Sequence, residues 1–483
     1  MSGSAIEGDK NQTTPPARRR TKIVATLGPV SRDAPVLDRL VEAGMDVARV
    51  NLSHGSTAEH ERSIVEVRAA AARRGSPLAV LIDLPGPKLR LGDLAGPITV
   101  KRGETIELGA GSNAPLRVNF PELLAHFTPG ELVLVDDGAV ALRVSAVTPP
   151  TVVLEVLNDG TIESRKGVNL PDTHLPIGAL TAADRELLAW GLGQDVDYVA
   201  LSFVRSSDDV RELRALITAT GGDQRVVAKI EKKEALAAHE EIIAAADAVM
   251  VARGDLGVEI DPATVPIWQK RIIHAANVAG KPVITATQML QSMVTAPRPT
   301  RAEASDVANA IYDATSAVML SGETAIGGYP VEAVRTMAEI ALVVEADIER
   351  QGRAPQPWAA GRTGVSNAIS YGACEVAQRV GAAAIVSATF SGATARAVAR
   401  NLPSEPIVAI SPNRRVVNQL ALCRGVCPLL GTERGDFEDV VREANDLALA
   451  GGFGQRGEVV VITAGLQTNK SGKTNLIKAH LLD

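Results

Sequence analysis

The stretch RVVAKIEKKEALAAHEEIIAAADAVMVARGDL (225–256) decides the fold class of this 483-residue chain. It opens on a short apolar run, passes through an Ala-rich segment, and ends on a second apolar run that leads into Gly254 and Asp255. Apolar runs without polar alternation are typical of parallel strands that helices cover on both faces. The stretch therefore predicts one strand–helix–strand unit of a parallel sheet.

The same unit recurs along the chain. Helix-like segments separate the apolar runs, and Thr300 with Glu303 forms a capping-box pattern that predicts a helix reaching about Asp313. The apolar runs are KIVATLG (22–28), VARVNLSH (47–54), LAVLIDLPG (78–86), VDYVALSFV (196–204), RVVAKIE (225–231), AVMVARGDL (248–256), PVITATQML (282–290) and SAVMLSG (316–322). Eight such units predict an α/β fold, a (β/α)8 TIM barrel, with its active site at the carboxyl ends of the strands.

Two segments break this rhythm. Residues 87–175 hold short strands separated by Gly, Asp and Pro, which predicts a small all-β domain inserted into the barrel as a β-barrel lid. After QGRAPQPWAAGRTG (351–364) a new α/β pattern begins, which predicts a doubly wound C-terminal sheet. The predicted division is a disordered tail (1–19), the barrel (20–86 and 176–348), the inserted lid (87–175) and a regulatory C-terminal domain (349–483).

Composition narrows the function classes. The net charge is −6 and only 3% of the residues are aromatic, which disfavours a nucleic-acid partner. No run approaches the roughly 20 apolar residues of a membrane helix, and the basic N-terminus is not followed by an apolar signal region. The three cysteines favour a reducing compartment. We therefore expect a soluble cytoplasmic protein with no membrane or nucleic-acid partner.

Polar side chains follow nearly every predicted barrel strand. They are Thr26, Arg49, Asn51, Ser53, Asp83, Ser202, Lys229, Glu231, Asp255, Thr287, Ser321 and Glu323. Because the carboxyl ends of barrel strands meet at one face, these groups predict a single polar site. Chemistry placed at the same end of almost every strand is the strongest physical signal in the sequence.

Lys229 and Glu231 are two residues apart, which places both side chains on one face of a strand. A buried ion pair is one interpretation. The second carboxylate, Asp255, favours another, because two carboxylates completed by substrate oxygens and water suit Mg²⁺. Lys229 would then stabilise charge on a phosphoryl group. Gly254 and Asp255 would open a short helix whose free N–H groups bind an anion.

Thr287 and Ser321 have two interpretations as well. Hydroxyls at such positions commonly bond the local backbone, but here they could also line a proton path to a substrate carbon. The segment RVNLSHG (49–55) places Arg49, Asn51 and Ser53 on one face, where they would suit anions and a monovalent cation. A lone His54 is more often structural.

The chain resembles the pyruvate kinase family from about residue 20 to its end. The motifs that carry the resemblance are RVNLSHG (49–55), KGVNLP (166–171), VAKIE (227–231), MVARGDLGVE (250–259), ATQML (286–290), PRPTRAEASDVANA (297–310) and MLSGETA (319–325). The resemblance implies phosphoryl transfer from phosphoenolpyruvate to ADP, giving pyruvate and ATP, in the last step of glycolysis. It also implies a homotetramer.

The resemblance implies a role for each site residue. Glu231 and Asp255 would bind Mg²⁺, or Mn²⁺ in its place, and Lys229 would neutralise the phosphoryl group in transfer. The backbone of Gly254 and Asp255, with the Thr287 hydroxyl, would hold the substrate carboxylate. Thr287 with Ser321 and water would protonate the enolate. Arg49 would contact the transferred phosphate, and the nucleotide phosphates would meet Asn51, His54, Arg90 and Lys166. The inserted domain would close over the site and exclude water.

One departure concerns the monovalent cation. Many members read L-D-T-K-G-P-E-I-R and hold K⁺ with groups equivalent to Asn51, Ser53 and Asp83. Here IDLPGPKLR (82–90) has Leu84 for Thr and Lys88 for Glu. Since an ammonium is a compact permanent cation, we hypothesise that Lys88 replaces K⁺, so that K⁺ is not required. The alternative is that Lys88 is a solvated hinge residue.

The segment TFSGATAR (389–396) resembles the family's effector loop. Hydroxyls of Thr389, Ser391 and Thr394 would bind a phosphorylated metabolite, a sugar phosphate or a nucleotide monophosphate. The alternative is a plain strand–turn–helix connection. Two rival functions stay open: another Mg²⁺-dependent barrel enzyme of phosphoenolpyruvate or pyruvate, such as an aldolase or mutase, and a non-catalytic metabolite sensor.

Overall fold

A computed structural model of the chain describes residues 18–109, 114–173, 176–352, 364–433, 435–465 and 474–483. Most of the predicted N-terminal tail and of the segment 351–364 lies outside these residues. Within the described residues, no helix combines the length and the apolar character that crossing a membrane requires.

The first part of the barrel alternates strands and helices as predicted. Its elements are β1 (Lys22–Leu27), α1 (Ala34–Ala43), β2 (Val47–Asn51), α2 (Thr57–Arg74) and β3 (Ala79–Asp83). Helix α2 begins with a capping box, in which Ser56 and Glu59 satisfy each other's backbone N–H groups. Gly75 ends the same helix in a left-handed conformation with φ of 60°, which a residue without a Cβ adopts without strain.

Where the structure describes it, the inserted segment is all-β apart from one short 3₁₀ turn (Pro121–His126). Its strands are β4 (Ile98–Val100), β5 (Thr105–Gly109), β6 (Leu132–Val135), β7 (Val140–Thr148), β8 (Thr151–Val156), β9 (Gly160–Ile162) and β10 (Val168–Asn169). They form a five-stranded antiparallel sheet in the order β10-β6-β7-β8-β5 and a separate pair, β4 with β9. Isolated bridges pair Arg90 with Gly167, Leu91 with Val118 and Leu108 with Leu116. The chain near residues 90–91 and 116–118 therefore connects β10 and β5, the two edge strands of the five-stranded sheet.

The chain then completes the barrel. The elements are α3 (Ala182–Leu192), β11 (Tyr198–Leu201), α4 (Ser207–Ala219), β12 (Arg225–Ile230), α5 (Lys233–Ala237), α6 (His239–Ala245), β13 (Ala248–Ala252), α7 (Arg253–Glu259), α8 (Val265–Ala279), β14 (Val283–Ala286), α9 (Arg301–Tyr312), β15 (Ala317–Leu320), α10 (Gly322–Ala325) and α11 (Pro330–Arg350). The strands close in the order β1-β15-β14-β13-β12-β11-β3-β2. The predicted (β/α)8 barrel is confirmed. Thr300 and Glu303 form the predicted capping box of α9, which ends one residue before Asp313.

The C-terminal part is an α/β sheet, as predicted. Its elements are α12 (Val365–Val380), β16 (Ala384–Ala388), α13 (Ala393–Ala399), β17 (Ile407–Ser411), α14 (Arg414–Leu420), β18 (Val426–Leu430), α15 (Phe437–Ala450), β19 (Val459–Ala464) and β20 (Leu476–Leu481). Four strands are parallel, and β20 adds an antiparallel edge that the sequence analysis did not identify. Mixed edges of this kind are common in doubly wound sheets.

The barrel interior is apolar at its amino-terminal end and polar at the other. Val24, Leu81 and Met250 belong to the inner core, together with Ala421 and Leu422 from the C-terminal part. The Tyr198 hydroxyl donates to the Gln419 carbonyl at 2.6 Å, so the C-terminal part closes the amino end of the barrel. The polar carboxyl ends of the strands are therefore the side of the barrel where we expect a ligand to bind.

Candidate active site

The strand register brings the predicted polar groups to one face. Strand β12 pairs Lys229 with Met250 of β13, and β13 pairs Ala252 with Ala286 of β14. Residues that follow these strands, such as Gly254 and Thr287, therefore meet at the same edge. Gly254 N–H donates to Thr287 Oγ1 at 2.7 Å, so the loops that follow β13 and β14 are in direct contact.

Asp83 lies at the centre of the site and is buried. Its Oδ2 lies 2.7 Å from Arg49 Nη2, and its Oδ1 lies 3.4 Å from Lys229 Nζ. Burial alone would raise the pKa of Asp83, but Lys229 and Arg49 outweigh it and hold the pKa below its usual range. Arg49 also donates to Thr26 Oγ1 at 2.9 Å. The Asp83 carboxylate thus holds Arg49 and Lys229, the two cations predicted to bind phosphate, next to each other.

The Lys229 ammonium is held from three sides. It donates to Ser202 Oγ at 2.7 Å and lies 3.3 Å from Glu231 Oε2, in addition to Asp83. The Ser202 hydroxyl in turn donates a hydrogen bond to the Leu84 carbonyl at 2.7 Å. Burial lowers the pKa of Lys229, but Asp83 and Glu231 more than offset burial, so that the net shift is upward. Lys229 is therefore a fixed cation.

Glu231 and Asp255 are the two carboxylates that the sequence proposes as metal ligands. Burial raises the pKa of Glu231 to about 7, and Asp255 adds repulsion to this effect. Phe203 N–H donates to Glu231 Oε1 at 2.8 Å, while the buried Oε2 accepts no hydrogen bond among the described residues. Asp255 Oδ1 lies 3.0 Å from Lys88 Nζ. Although burial would raise the pKa of Asp255, Lys88 and Lys229 lower it.

Thr287 and Ser321 follow the adjacent strands β14 and β15. Thr287 Oγ1 accepts from Gly254 N–H and donates to the Ala286 carbonyl at 2.6 Å. Ser321 N–H donates to Glu323 Oε2 at 2.7 Å, and Leu290 N–H donates to the other oxygen, Oε1, at 3.1 Å. Glu323 is buried, so it ties the Thr287 loop to the Ser321 loop.

The four predicted nucleotide residues lie on both sides of the cleft. His54 is close to Arg90, and burial together with Arg90 lowers the pKa of His54. Arg90 pairs through its backbone with Gly167, next to Lys166. The Lys166 ammonium is 3.0 Å from Asp136 Oδ2, so in this structure it already has an anionic partner. Asn51 Oδ1 accepts from Ser53 N–H at 3.2 Å.

The predicted monovalent-cation region holds Asn51, Ser53, Asp83 and Leu84. The Leu84 side chain is fully buried, and its carbonyl accepts from Ser202. Within the described residues, Lys88 forms its ion pair with Asp255 and none with Asp83. Lys88 therefore lies beside the proposed metal ligand rather than on the carboxylate of the cation region.

The predicted effector loop connects β16 to α13. Thr389 and Thr394 are buried, and the Thr394 hydroxyl bonds the Thr474 hydroxyl at 2.7 Å. The Ser391 carbonyl accepts from Arg225 Nη2 at 3.2 Å and from Arg396 Nη2 at 3.0 Å. Arg225 starts the strand β12 that carries Lys229. The loop is thus attached to the strand that ends in the candidate active site.

Arg253 has no role predicted from the sequence, although the structure places it against Thr287. Arg253 lies one residue before Gly254, and its Nη2 donates to the Thr287 carbonyl at 2.8 Å. A charged residue directly after a buried strand was the available signal. Ser202 and Thr26 were noted at strand ends, but only the structure shows which cation each of them holds.

The fold and the site define a (β/α)8 enzyme whose active site combines a buried lysine, an arginine and two carboxylates for an anionic substrate. Comparison with known proteins makes the class specific. Residues 18–334 match the model of the pyruvate kinase barrel domain, and residues 367–480 match the model of the pyruvate kinase alpha/beta domain.

Curated relatives agree over nearly the whole chain. A pyruvate kinase of Geobacillus stearothermophilus is 43% identical over 96% of this chain and 81% of its own length. One of Clostridium acetobutylicum is 39% identical over 96% of this chain and 100% of its own length. Pyruvate kinase 2 of Synechocystis is 44% identical over 97% of this chain and 80% of its own length. The chain belongs to the pyruvate kinase family and is a transferase of glycolysis.

Proposed function

We propose that the protein transfers the phosphoryl group of phosphoenolpyruvate to ADP, giving pyruvate and ATP, and that it uses Mg²⁺. The observation that carries the proposal is the cluster of Lys229, Glu231 and Asp255 at the ends of β12 and β13, in a chain of this family. A fixed cation beside two carboxylates provides what phosphoryl transfer requires: a charge for the transferred group and ligands for a divalent ion.

The carboxylates fit a divalent ion. Glu231 Oε2 is buried and accepts no hydrogen bond among the described residues, and its charged neighbour is the Lys229 ammonium at 3.3 Å, so the oxygen keeps lone pairs that a divalent ion could bind. Within the described residues, no group of three or more His, Cys, Asp or Glu is placed to hold a metal. Two carboxylates with the remaining positions left to substrate and water are typical of Mg²⁺, and Mn²⁺ accepts the same oxygen ligands. The bound ion would supply charge stabilisation on the phosphoryl oxygens.

Lys229 and Arg49 perform the electrostatic part of the reaction. Both are held by Asp83, so neither has to reorganise when negative charge develops on the transferred group. Asn51, His54, Arg90 and Lys166 would bind the nucleotide phosphates. Because Arg90 and Lys166 belong to the inserted segment, movement of that segment would close the site and exclude water.

Carboxylate binding and proton delivery fall to Thr287. The N–H groups of Gly254 and Asp255 would bind the substrate carboxylate together with the Thr287 hydroxyl. After the P–O bond breaks, the enolate carbon takes a proton from the Thr287 hydroxyl. Ser321 and water return a proton to Thr287, so the hydroxyl is regenerated.

Lys88 would make K⁺ unnecessary through its charge and not by occupying the predicted cation region. Its ammonium lies 3.0 Å from Asp255, and it contributes to the lowered pKa of His54. An ammonium at this point would supply positive charge that the resemblance assigns to K⁺.

The proposal extends to organisation and regulation. The chain would divide into the barrel (20–86 and 176–348), the lid (87–175) and the C-terminal domain (349–483), and would assemble as a homotetramer in the cytoplasm. A phosphorylated metabolite would bind at Thr389, Ser391 and Thr394. The contact between Arg225 and the Ser391 carbonyl supports communication between that loop and β12.

A coupled assay tests the proposed reaction. We expect ADP-dependent release of pyruvate from phosphoenolpyruvate, with a loss of about 10²–10³-fold in Lys229→Met, because one preorganised charge is removed. Release of pyruvate without ADP, or formation of a carbon–carbon bond, would favour the aldolase or mutase alternative. Ligand binding without turnover would favour a metabolite sensor.

A further inference from the structure

The backbone at the end of β14 is in an unusual conformation. Thr287 has φ of 71° and Gln288 has φ of 54°, both in the left-handed region. A β-branched residue rarely adopts this region, and such residues cost about 1–3 kcal/mol each. Such a conformation persists only where neighbouring groups enforce it, and several groups contact Thr287.

The main contact is the guanidinium of Arg253. Its Nη2 donates to the Thr287 carbonyl at 2.8 Å, and its Nε donates to the Ala286 carbonyl at 3.3 Å. The same guanidinium touches Met289 Sδ. Charge-assisted hydrogen bonds are stronger than neutral ones. The Arg253 side chain thus binds the carbonyls of Ala286 and Thr287, which lie on either side of the Thr287 φ angle. It also contacts Met289, two residues further along the chain.

The guanidinium is itself fixed from outside the barrel. Asp306 of α9 binds it at two points, Nη1 to Oδ1 at 2.7 Å and Nη2 to Oδ2 at 2.7 Å. Gln269 of α8 accepts from Nη1 at 3.2 Å. The Arg253 side chain is only 11% exposed. A two-point arginine–carboxylate pair fixes the plane of the guanidinium as well as its position.

The main chain of Arg253 completes the connection. Arg253 is the first residue of α7, and the next residue, Gly254, donates its N–H to Thr287 Oγ1 at 2.7 Å. Thr287 is therefore held at its carbonyl by the Arg253 side chain and at its hydroxyl by the peptide that follows Arg253.

We propose that Arg253, fixed by Asp306, is a positioning residue that keeps the Thr287 hydroxyl aligned for its work in the active site. The inference rests on the proposed function, because the hydroxyl matters only if Thr287 binds substrate and delivers a proton. Arg253 acts through Thr287 and not on a reactant. The competing explanation is that the pair of Arg253 and Asp306 only joins α7 to α9.

Two variants test the pair. Arg253→Lys keeps the positive charge but cannot form the two-point contact with Asp306, and Asp306→Asn removes the carboxylate that binds the guanidinium. The control is Asp38→Asn, because Asp38 binds Arg73 through a similar fork between α1 and α2, at 2.8 Å. Circular dichroism and thermal midpoints identify any variant that fails to fold.

The first measurement is backbone hydrogen exchange in residues 286–290 of the full chain. We expect exchange about tenfold faster in both variants and unchanged in Asp38→Asn. This measurement does not depend on activity, so it tests the clamp even if the proposed reaction is wrong. Parental protection in both variants would overturn the inference.

The second measurement compares two rates at saturating substrate. One is deuterium exchange into the methyl group of pyruvate with Mg²⁺ and inorganic phosphate, and the other is ATP formation from phosphoenolpyruvate and ADP. We expect the ratio of methyl exchange to ATP formation to fall about tenfold in both variants, since phosphoryl transfer depends on Lys229 and Arg49 instead. An unchanged ratio would assign Arg253 a structural role alone. A parent protein without ATP formation would refute the proposed function instead.

Discussion

Lys88 Nζ lies 3.0 Å from Asp255 Oδ1, which joins the entry of the inserted segment to the first turn of α7. The pair places a permanent positive charge beside a proposed metal ligand. Lys88 belongs to the inserted segment and Asp255 to the barrel. The Lys88 charge therefore lies at the candidate active site when the inserted segment contacts the barrel as it does in this structure.

This pair leads to a prediction about K⁺. At constant ionic strength, we expect the rate of the parent protein to be the same with and without KCl. Lys88→Glu should make the rate rise with KCl, because the fixed cation is then replaced by an anion. Lys101→Glu, an exposed charge reversal in the same inserted segment, is the control. A strict K⁺ requirement in the parent would contradict the proposal.

The raised pKa of Glu231 predicts a pH-dependent stability in metal-free protein. Its pKa is about 7 in the folded state against 4.5 for an ordinary glutamate. Between these values the folded state keeps a proton that the unfolded state releases, so the parent loses stability as pH rises from about 4.5 to 7. Glu231→Gln cannot ionise and avoids this loss.

We therefore expect the thermal midpoint of Glu231→Gln, relative to the parent, to be higher at pH 8 than at pH 5, with chelator present. Adding MgCl2 should raise the midpoint of the parent and leave the variant unmoved, because binding to the folded state alone stabilises it. Glu186→Gln on an exposed face of α3 controls for the general effect of pH. An equal difference at both pH values would refute the prediction.

Ser202 provides a test of how Lys229 is held. Removing its hydroxyl in Ser202→Ala deletes the 2.7 Å bond to the ammonium, leaving Asp83 and Glu231 as partners. Hydrogen bonds to charged groups are worth about 1.5–3 kcal/mol, so we expect kcat to fall by about tenfold or more. The control is Ser370→Ala, which removes another buried hydroxyl, bonded to the Ser366 carbonyl at 2.7 Å. Equal effects of the two substitutions on kcat would contradict this role.

Removing the N-cap of α9 should lower the free energy of unfolding without altering the candidate active site. Thr300→Ala removes the bond from Glu303 N–H to Thr300 Oγ1, which measures 3.2 Å. Loss of an N-cap costs about 0.5–2 kcal/mol, and Thr300→Ser should restore most of it. Urea unfolding followed by circular dichroism measures the effect. Equal midpoints for Thr300→Ala and the parent would show that α9 does not depend on its cap.

The effector loop predicts cooperative kinetics. We expect a sigmoidal dependence of rate on phosphoenolpyruvate that a sugar phosphate or nucleotide monophosphate makes hyperbolic. Arg225→Met, which removes the 3.2 Å bond to the Ser391 carbonyl, should weaken the activation while the effector still binds in a thermal-shift assay. Hyperbolic kinetics that no phosphorylated compound alters would argue against an effector site.

The sequence alone determined the barrel, because eight apolar runs separated by helix-like segments can be buried on both sides only as parallel strands between helices. It also predicted that Lys229, Glu231, Asp255 and Thr287 lie together, since polar residues at strand ends must share one face. The antiparallel strand β20 did not follow from the sequence, because strand pairing depends on partners distant in the chain.

Only the tertiary structure decided the partners of these residues. That Lys88 binds Asp255, and that Arg253 holds Thr287 from the next strand end, depends on loops whose paths no local pattern fixes. Periodicity reports which side of a strand a residue occupies, whereas the hydrogen bonds that orient a charge come from residues distant in the chain, 27 positions apart for Ser202 and Lys229 and 167 for Lys88 and Asp255. For this reason the sequence predicted which polar residues meet at one end of the barrel, and the structure showed how their charges are held.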